Sequence, residues 1–578
     1  ISLYDHLKLT AAFGLCIGHY LEENGICDYK AELFEKAKAF YAKKAFLIYS
    51  LDLSGIQNFI YNIASKGALK GLRARSFYLE ILMESCVDEL LDRLGLCRAN
   101  VLYTGGGHTY MILPNTNATK DNINAFEKEL NGWFMENFGS QLYAAGGYAE
   151  CSSNTLQNDP DGSYKEIFRE VSKNISAKKM NRYSASDIET LNAPHIHDHS
   201  RECVICHRSD KLTDGNKCSV CSGLEKLSSM IIGQKNALFV LTKDESIENK
   251  VIMPFGCVLT AGDENKAKEL MQSSDYVRSY SKNRPYTGNN VTSNLWVGDY
   301  SSESEFSKLI EKSCGIKRLG VIRADVDNLG QAFVSGFNGP YETITRTAVF
   351  SRKLSMFFKL HIKKILENGG CTLDESDPKK RNAVIVYAGG DDLFIVGAWN
   401  DIIGFAVDLQ QSLERYSQGM LTISAGIGLY PDKFPIAAMA EQVGDLEHLS
   451  KTYDNESKNA VTLFDGENSY HWDEFIKEVL DEKLSALQEY FKNNGEHNTA
   501  LLYKMLQLIR DRRKEDKLNI ARFTYLLARL RPNEDKPEEI AVYNYFAKKM
   551  YNWIRNEKDC RQLTTAIYLY VYMNRERT

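Results

Sequence analysis

The sequence predicts an α+β protein of several domains: a repeated α/β unit, a cysteine-bearing linker between the repeats, and an all-helical tail. Three observations predict it. Three segments near the start recur in the same order, in sharper form, between residues 320 and 430. Two Cys-x-x-Cys units lie between the copies. Past residue 466 the apolar residues change to helical spacing. At 578 residues the chain has room for roughly three to five domains.

The first copy opens on an apolar strand at 45–59 that runs through Asp52, Ser54 and Gly55. A hairpin at 100–113 follows, turning on Gly105, Gly106 and Gly107 before His108, and then a strand at 141–150. These parallel 320–333, 382–397 and 421–430, so Gly107 and His108 stand where the second copy has Asp391 and Asp392. Without those acids the first copy keeps its turn but loses a metal site. It is expected to position a nucleotide or to act as scaffold.

Between the copies, Cys203 and Cys206 pair with Cys218 and Cys221 as two short turns. Four thiolates so spaced predict a closed, structural Zn²⁺ site that supplies folding energy and no chemistry. A pair of redox motifs is the alternative. Just upstream, His195–His199 contains a His-Asp pair but sits in a polar stretch and is read as a loop. Residues 225–315 read as short strands and loops, such as 236–241 and 291–297.

The second copy carries the chemistry. Two β-branched runs flank Gly389, Gly390, Asp391 and Asp392, the composition of a strand, a tight turn and a returning strand. Adjacent carboxylates on an apolar hairpin repel each other and favour a divalent cation. Upstream, the strand 319–327 ends on Asp325 and Asp327. If the two strands neighbour each other, Asp325, Asp391 and Asp392 converge on one edge, the layout of a two-metal nucleotidyl-transfer site. An ordinary hairpin with solvated acids is the alternative reading.

The tail shows helical spacing at 475–490, 499–510, 520–530, 540–553 and 563–573. Its basic residues, Arg510 to Lys514 and Arg561, are read as solvated helix faces, with RNA contact as the alternative. A net charge of −5 excludes a chain-wide basic field, so RNA contact has to come from local patches or partner subunits. The longest apolar runs are strand-sized, which excludes a membrane-spanning helix. Thirteen cysteines without a visible secretion leader point to a reducing cytoplasm, with those outside the knuckle expected as small buried residues.

Taken together, the Gly-Gly-Asp-Asp hairpin, the first copy with Gly-Gly-Gly-His, the four-cysteine knuckle and the helical tail resemble the large subunit of type III CRISPR effector complexes, the Csm (III-A) subtype more closely. The resemblance covers nearly the whole chain. It implies two ferredoxin-like palm domains of the GGDEF, nucleotidyl-cyclase type at 41–190 and 316–466, a zinc-knuckle and β-rich linker domain at 191–315, and a helical domain at 467–578. Residues 1–40 then resemble the last helix and linker of the HD nuclease domain with which the family opens. Its His-Asp pair is absent here, and Asp5 and His6 alone cannot assemble a metal site, so no HD-type DNase activity is expected. The start at Ile1 rather than Met is what a fragment would show.

The implied activity is synthesis of cyclic oligoadenylates from ATP. Two ATP molecules lie between the palms, and the 3′-hydroxyl of one attacks the α-phosphorus of the other. Asp325, Asp391 and Asp392 would hold two Mg²⁺ or Mn²⁺ ions. The turn Val326 to Gly330, with Asn328 and Leu329, is expected to offer backbone amides to the triphosphate, beside Gly389 and Gly390. Lys451 resembles a triphosphate-binding lysine. Ser355 and Ser76 occupy matching helix positions that would face adenine, and Ser54, Gly55, Gly106 and Gly107 would line the first copy's nucleotide. Implied partners are guide CRISPR RNA, target RNA and neighbouring Csm subunits, including the one holding the guide 5′ end; no membrane is implied. A stand-alone nucleotide cyclase of the diguanylate type and a non-catalytic RNA-binding scaffold remain as alternatives.

Overall fold

The computed structural model describes residues 2–63, 68–193, 201–208, 212–213, 215–233, 237–286, 292–337, 341–373, 379–493, 499–511, 516–532 and 537–575. The His195–His199 segment and residues 512–514 of the basic run lie outside them.

The first copy is a four-stranded sheet of β1 (Phe46–Ser54), β2 (Val101–Gly105), β3 (His108–Pro114) and β4 (Tyr143–Cys151) in the order β2-β3-β1-β4. Both faces of β1 are buried, and its alternation sends side chains to two cores. Leu47, Tyr49, Leu51 and Leu53 join one cluster, while Phe46 and Ile48 join another. A strand covered on both faces reads as a continuous apolar run rather than an alternating one. The helices Ala68–Arg93 and Asn117–Phe138 make the crossovers, and Ser163–Met180 packs on β4 and β1.

The linker holds the small pair β5 (Leu212–Thr213) and β6 (Lys217–Cys218). It also holds a sheet of β7 (Leu238–Thr242), β8 (Val251–Met253), β9 (Cys257–Gly262), β10 (Tyr276–Lys282) and β11 (Ser293–Leu295) in the order β11-β10-β7-β9-β8. The reading of 225–315 as strands and loops missed the helices Glu264–Met271 and Phe306–Glu311 and most of Ser219–Gly233, whose Leu224, Leu227 and Ile231 form a buried stripe.

The second copy repeats the first. β12 (Leu319–Val326), β13 (Ala383–Ala388), β14 (Asp392–Ala398) and β15 (Ile423–Tyr430) take the order β13-β14-β12-β15. β16 (Ala460–Leu463) and β17 (Ser469–His471) extend the same sheet past the expected boundary at 466. The two copies match in register as well: Asp52 pairs with His108 across β1 and β3, and Asp325 pairs with Asp392 across β12 and β14.

Past β17 the tail's described elements are helices, and Trp472, Phe475, Phe546 and Met550 join it to the second copy's core. Arg561 is only partly solvated and is engaged by aromatic residues. Its guanidinium lies 5.0 Å from the Tyr470 ring and donates to the Tyr453 hydroxyl at 2.8 Å, so it closes the seam between tail and sheet. Cys27 and Cys97 also depart from expectation, being exposed.

The helix Leu3–Glu23 is capped by Ser2 and buries Leu9, Ala12 and Cys16 in the core shared with Phe46 and Ile48. Asp5 is not an outlying metal ligand: it is buried and receives Arg352 Nε at 2.9 Å and Nη2 at 2.7 Å. The first helix is thereby clamped to the second copy. The Arg352 bond holds the Asp5 carboxyl below its ordinary range, against the opposing effect of burial. Because the folded value is depressed, the stabilisation is present at neutral pH and disappears as pH falls. Asp5→Asn is expected to lower stability by about 1 kcal/mol at pH 7, with the gap closing below about pH 4, in denaturant titrations across that range.

Candidate active site between the two glycine hairpins

The hairpin tips of the two copies meet. In the first, Gly106 and Gly107 form the turn with φ of 60° and 78°, between the paired residues Gly105 and His108. A two-residue turn with both central φ positive matches strand twist and favours glycine. In the second, Gly389 N–H donates to the Asp392 carbonyl at 2.8 Å, and neither Gly389 nor Gly390 has a positive φ. They are glycines because of close approach: a methyl at Gly389 would overlap the Asp392 carboxylate, and one at Gly390 would overlap the Tyr103 hydroxyl. Across the gap, a methyl at Gly106 would stand 3.4 Å from the Tyr387 hydroxyl and 3.7 Å from an Asp391 carboxylate oxygen.

Asp325 and Asp392 face each other as cross-strand partners, and the Asp391 carbonyl accepts the Val326 N–H at 3.1 Å. The three acids therefore sit at one end of the sheet. Burial and mutual repulsion push Asp391 and Asp392 upward from ordinary carboxyl values. Burial does the same to Asp325, against the nearby Lys451. One oxygen of Asp392 is buried with no hydrogen-bond partner. Repelling carboxylates with an orphaned oxygen are a donor set that suits divalent cations. The side chains are not gathered tightly: among the described residues, the cysteines alone form a cluster of three or more candidate ligands within 4.8 Å. Lys451, from the helix Ile436–Glu456, instead bonds Asp325 directly and Glu447 at 2.7 Å.

The first copy answers the same register with a histidine and a lysine. Asp52 accepts from His108 Nδ1 at 3.1 Å and from Lys179 at 2.7 Å, and these bonds outweigh burial to hold it below the ordinary range. Lys179 follows β4 as Lys451 follows β15. The first copy thus pairs its acid with His108 where the second sets Asp325 opposite Asp392.

Three cavities adjoin the hairpins. A slot of about 30 Å³ lies directly between the tips, lined by Ser76, Gly106, Gly107, His108, Lys359 and Gly389. A charged cavity of about 220 Å³ includes Glu80, Glu84, Arg98, Ser355 and Lys359. An apolar one of about 410 Å³ is walled by Tyr103, Tyr110, Phe168, Gly330, Phe333 and Ser351. Ser355 and Ser76 therefore both face the junction of the copies. Gly330 opens the helix Leu329–Ser335 onto the apolar cavity, following Asn328 at φ 54°. Two expectations change. The Val326 amide is already bonded to Asp391 and is not free for a triphosphate. Ser54 pairs with Tyr143 on β4, and Gly55, at φ 92°, packs against the Gln141 carbonyl; neither borders these cavities. Asp327 is also committed, to Thr422 at 2.8 Å and Ser424 at 2.7 Å.

Sequence reasoning missed four residues here. Tyr103 and Tyr387 stand beside the acids, and burial holds both phenols well above their ordinary range, so they remain donors. Glu80 and Lys359 form a direct ion pair between the copies. The signal was present in the sequence: each lies four residues after its serine, Ser76 or Ser355, so they are equivalent positions of opposite charge.

The knuckle closes as expected. Cys203, Cys206, Cys218 and Cys221 place their sulfurs within 4.8 Å of one another, with Cys206 and Cys218 3.8 Å apart. Four sulfurs around Zn²⁺ at about 2.3 Å stand about 3.8 Å apart, so the donor set fits.

Residues 45–194 match the family model of Csm1 subunit domain B, and 318–462 that of the second palm domain of Cas10/Cmr2. Residues 488–576 match the second helical domain of the CRISPR RNA silencing complex Cmr2 subunit. A relative from Mycobacterium tuberculosis, CRISPR system single-strand-specific deoxyribonuclease Cas10/Csm1 (subtype III-A), is 43% identical; the match covers 100% of this chain and 73% of the relative. Among solved structures, a Csm1–Csm4 cassette in complex with cA4 matches at TM-score 0.72 and 25% identity, over 99% of this chain and 74% of that one. A cassette in complex with one ATP matches at TM-score 0.71 and 25% identity over the same shares. No helix among the described residues is long and apolar enough to cross a membrane.

The Glu80–Lys359 pair yields a direct test of how the copies are held together. Lys359→Glu is expected to cost about 3–5 kcal/mol by setting two buried carboxylates together, and adding Glu80→Lys to recover most of it, read as denaturation midpoints.

Proposed function

Because the chain belongs to the Cas10/Csm1 large-subunit family of subtype III-A CRISPR systems, we propose that its second palm joins ATP molecules into cyclic oligoadenylates. The observation that supports this reading is the placing of Asp325, Asp391 and Asp392 at one end of the β12–β14 pair, on a hairpin whose Gly389 lines the slot shared with the first copy. The 3′-oxygen of one ATP forms a bond to the α-phosphorus of the other, the α–β anhydride breaks, and pyrophosphate leaves. Repetition and a final intramolecular step close the ring.

Asp325, Asp391 and Asp392 would hold the divalent cations. Two Mg²⁺ or Mn²⁺ ions bound there would supply the acidity that deprotonates the attacking hydroxyl and the positive charge that the phosphoryl oxygens develop against. With cations held by the acids, Lys451 would be freed from Asp325 and its ammonium would be available to a triphosphate. The turn at Asn328, Leu329 and Gly330 borders the same edge. Tyr103 and Tyr387 stay protonated beside the acids, and Tyr387 hydrogen-bonds Asp392. In the first copy Asp52 is already engaged by His108 and Lys179, which suits holding a nucleotide and not cleaving one.

The tip-to-tip slot is far smaller than a nucleotide, while the 410 Å³ cavity lies in the range of ligand sites, so binding is expected to part the hairpins. Ser355 and Ser76 are proposed to face the two bases, with Gly389, Gly390, Gly106 and Gly107 giving the chain its close approach. The partners proposed are guide and target RNA, with target binding as the activating event, and a Csm4-type neighbour. The deoxyribonuclease activity in the relative's name is not assigned to Asp5, which Arg352 occupies. A scaffold role is disfavoured because repelling acids weaken a fold that has no use for them.

The combined change Asp391→Ala and Asp392→Ala is expected to lower conversion of radiolabelled ATP by about 10³-fold or more, with the thermal midpoint maintained or raised. The assay contains the assembled complex, guide RNA and matched target; undiminished product would overturn the assignment. Lys451→Met is expected to reduce turnover by about 10–100-fold, a smaller loss because it removes charge stabilisation and not the cation site.

A further inference from the structure

Arg75 immediately precedes Ser76 in the helix Ala68–Arg93 and is only 5% exposed. Its Nη2 donates to the Cys221 sulfur at 3.3 Å. Its Nη1 donates to the Phe59 and Asn62 carbonyls at 2.5 and 3.3 Å, and the guanidinium sits 5.0 Å from the Phe59 ring. Among the described residues, Arg75 has no carboxylate partner. A permanently charged group this deep needs an anion. Four thiolates outweigh the charge of one divalent cation, so the metal-loaded knuckle is that anion.

We infer that Arg75 is the counter-ion of the Cys203–Cys206–Cys218–Cys221 metal centre, and that this bond makes metal occupancy fix the helix carrying Ser76 and Glu80. Packing supports the coupling. The helix Ser219–Gly233, which includes Cys221, lies along Ala68–Arg93. Cys203, Cys218 and Cys221 share a core with Leu72, Ala74 and Phe77. One face of Ala68–Arg93 thus meets the metal centre while Ser76 and Glu80 reach the cleft between the copies. That the cleft takes nucleotide rests on the proposed function; the link between Arg75 and the metal does not. Arg75 acts here as a positioning residue. Lysine cannot replace it fully, because only the planar fork serves the sulfur and two carbonyls together.

The test uses the full chain purified with zinc. Zinc transfer to a chromophoric chelator is expected to be about 10–100-fold faster in Arg75→Met, and intermediate in Arg75→Lys. Wild-type transfer rates in both variants would overturn the counter-ion assignment. In the unsubstituted protein, stripping zinc is expected to accelerate hydrogen exchange by about 10-fold or more in Ala68–Arg93 while β12 and β14 retain protection. Unchanged exchange in that helix, or equal loss in β12, would overturn the coupling. Should Arg75→Met fail to fold, Arg75→Lys and the exchange measurement decide. Neither readout involves nucleotide turnover, so failure here and failure of the proposed function are distinguishable.

Discussion

Three carboxylates held at one sheet edge repel one another, and the architecture around them is arranged so that they cannot disperse. β12 and β14 pair along their length, from Leu319 with Ala398 to Asp325 with Asp392, so the register that buries Val321, Ile322, Ile395 and Val396 also places the acids together. Slipping by one residue would exchange side chains between the cores on the two faces, Val321 and Val396 in one and Ile322 and Ile395 in the other, and spoil the packing of both. The core thus imposes the arrangement on the site. Lys451, Glu447 and Arg323 form the ion-pair chain that balances part of the charge.

Duplication supplies the opposing wall, and its two halves have diverged in charge more than in shape. Strand order and register agree between the copies. Asp52 survives as the counterpart of Asp325, yet it is bonded to His108 and Lys179. Glu80 and Lys359 show the same divergence at the contact between copies. Two identical units would bring like charges together there, so the buried pair favours association of unlike copies within one chain.

The linker and tail hold this pair of units from outside. The cysteine knuckle packs against the helix Ala68–Arg93, and the tail closes over β16 and β17 through Tyr470, whose hydroxyl meets Thr565 at 2.7 Å. Asp5 and Arg352 tie the first helix across to the second copy. Each junction is built from a polar group that would be costly to leave unpartnered, which makes the relative placement of the parts specific.

What the sequence determined by itself follows from local pattern. Strand runs around glycine turns, a paired Cys-x-x-Cys spacing and helical periodicity are each short-range, so both palms, the knuckle, the tail helices and the acids were legible. The helix Ser219–Gly233 was hidden because a buried helix beginning inside a metal turn shows no flanking polar signal. The tertiary structure alone decided what sits across a gap: that Val326 uses its amide on Asp391, that Asp5 belongs to Arg352, that Arg561 lies between Tyr453 and Tyr470, and that Glu80 meets Lys359. Those partners are separated by 65 residues or more, and their pairing depends on how the elements pack in space. Spacing along a chain carries no record of that orientation.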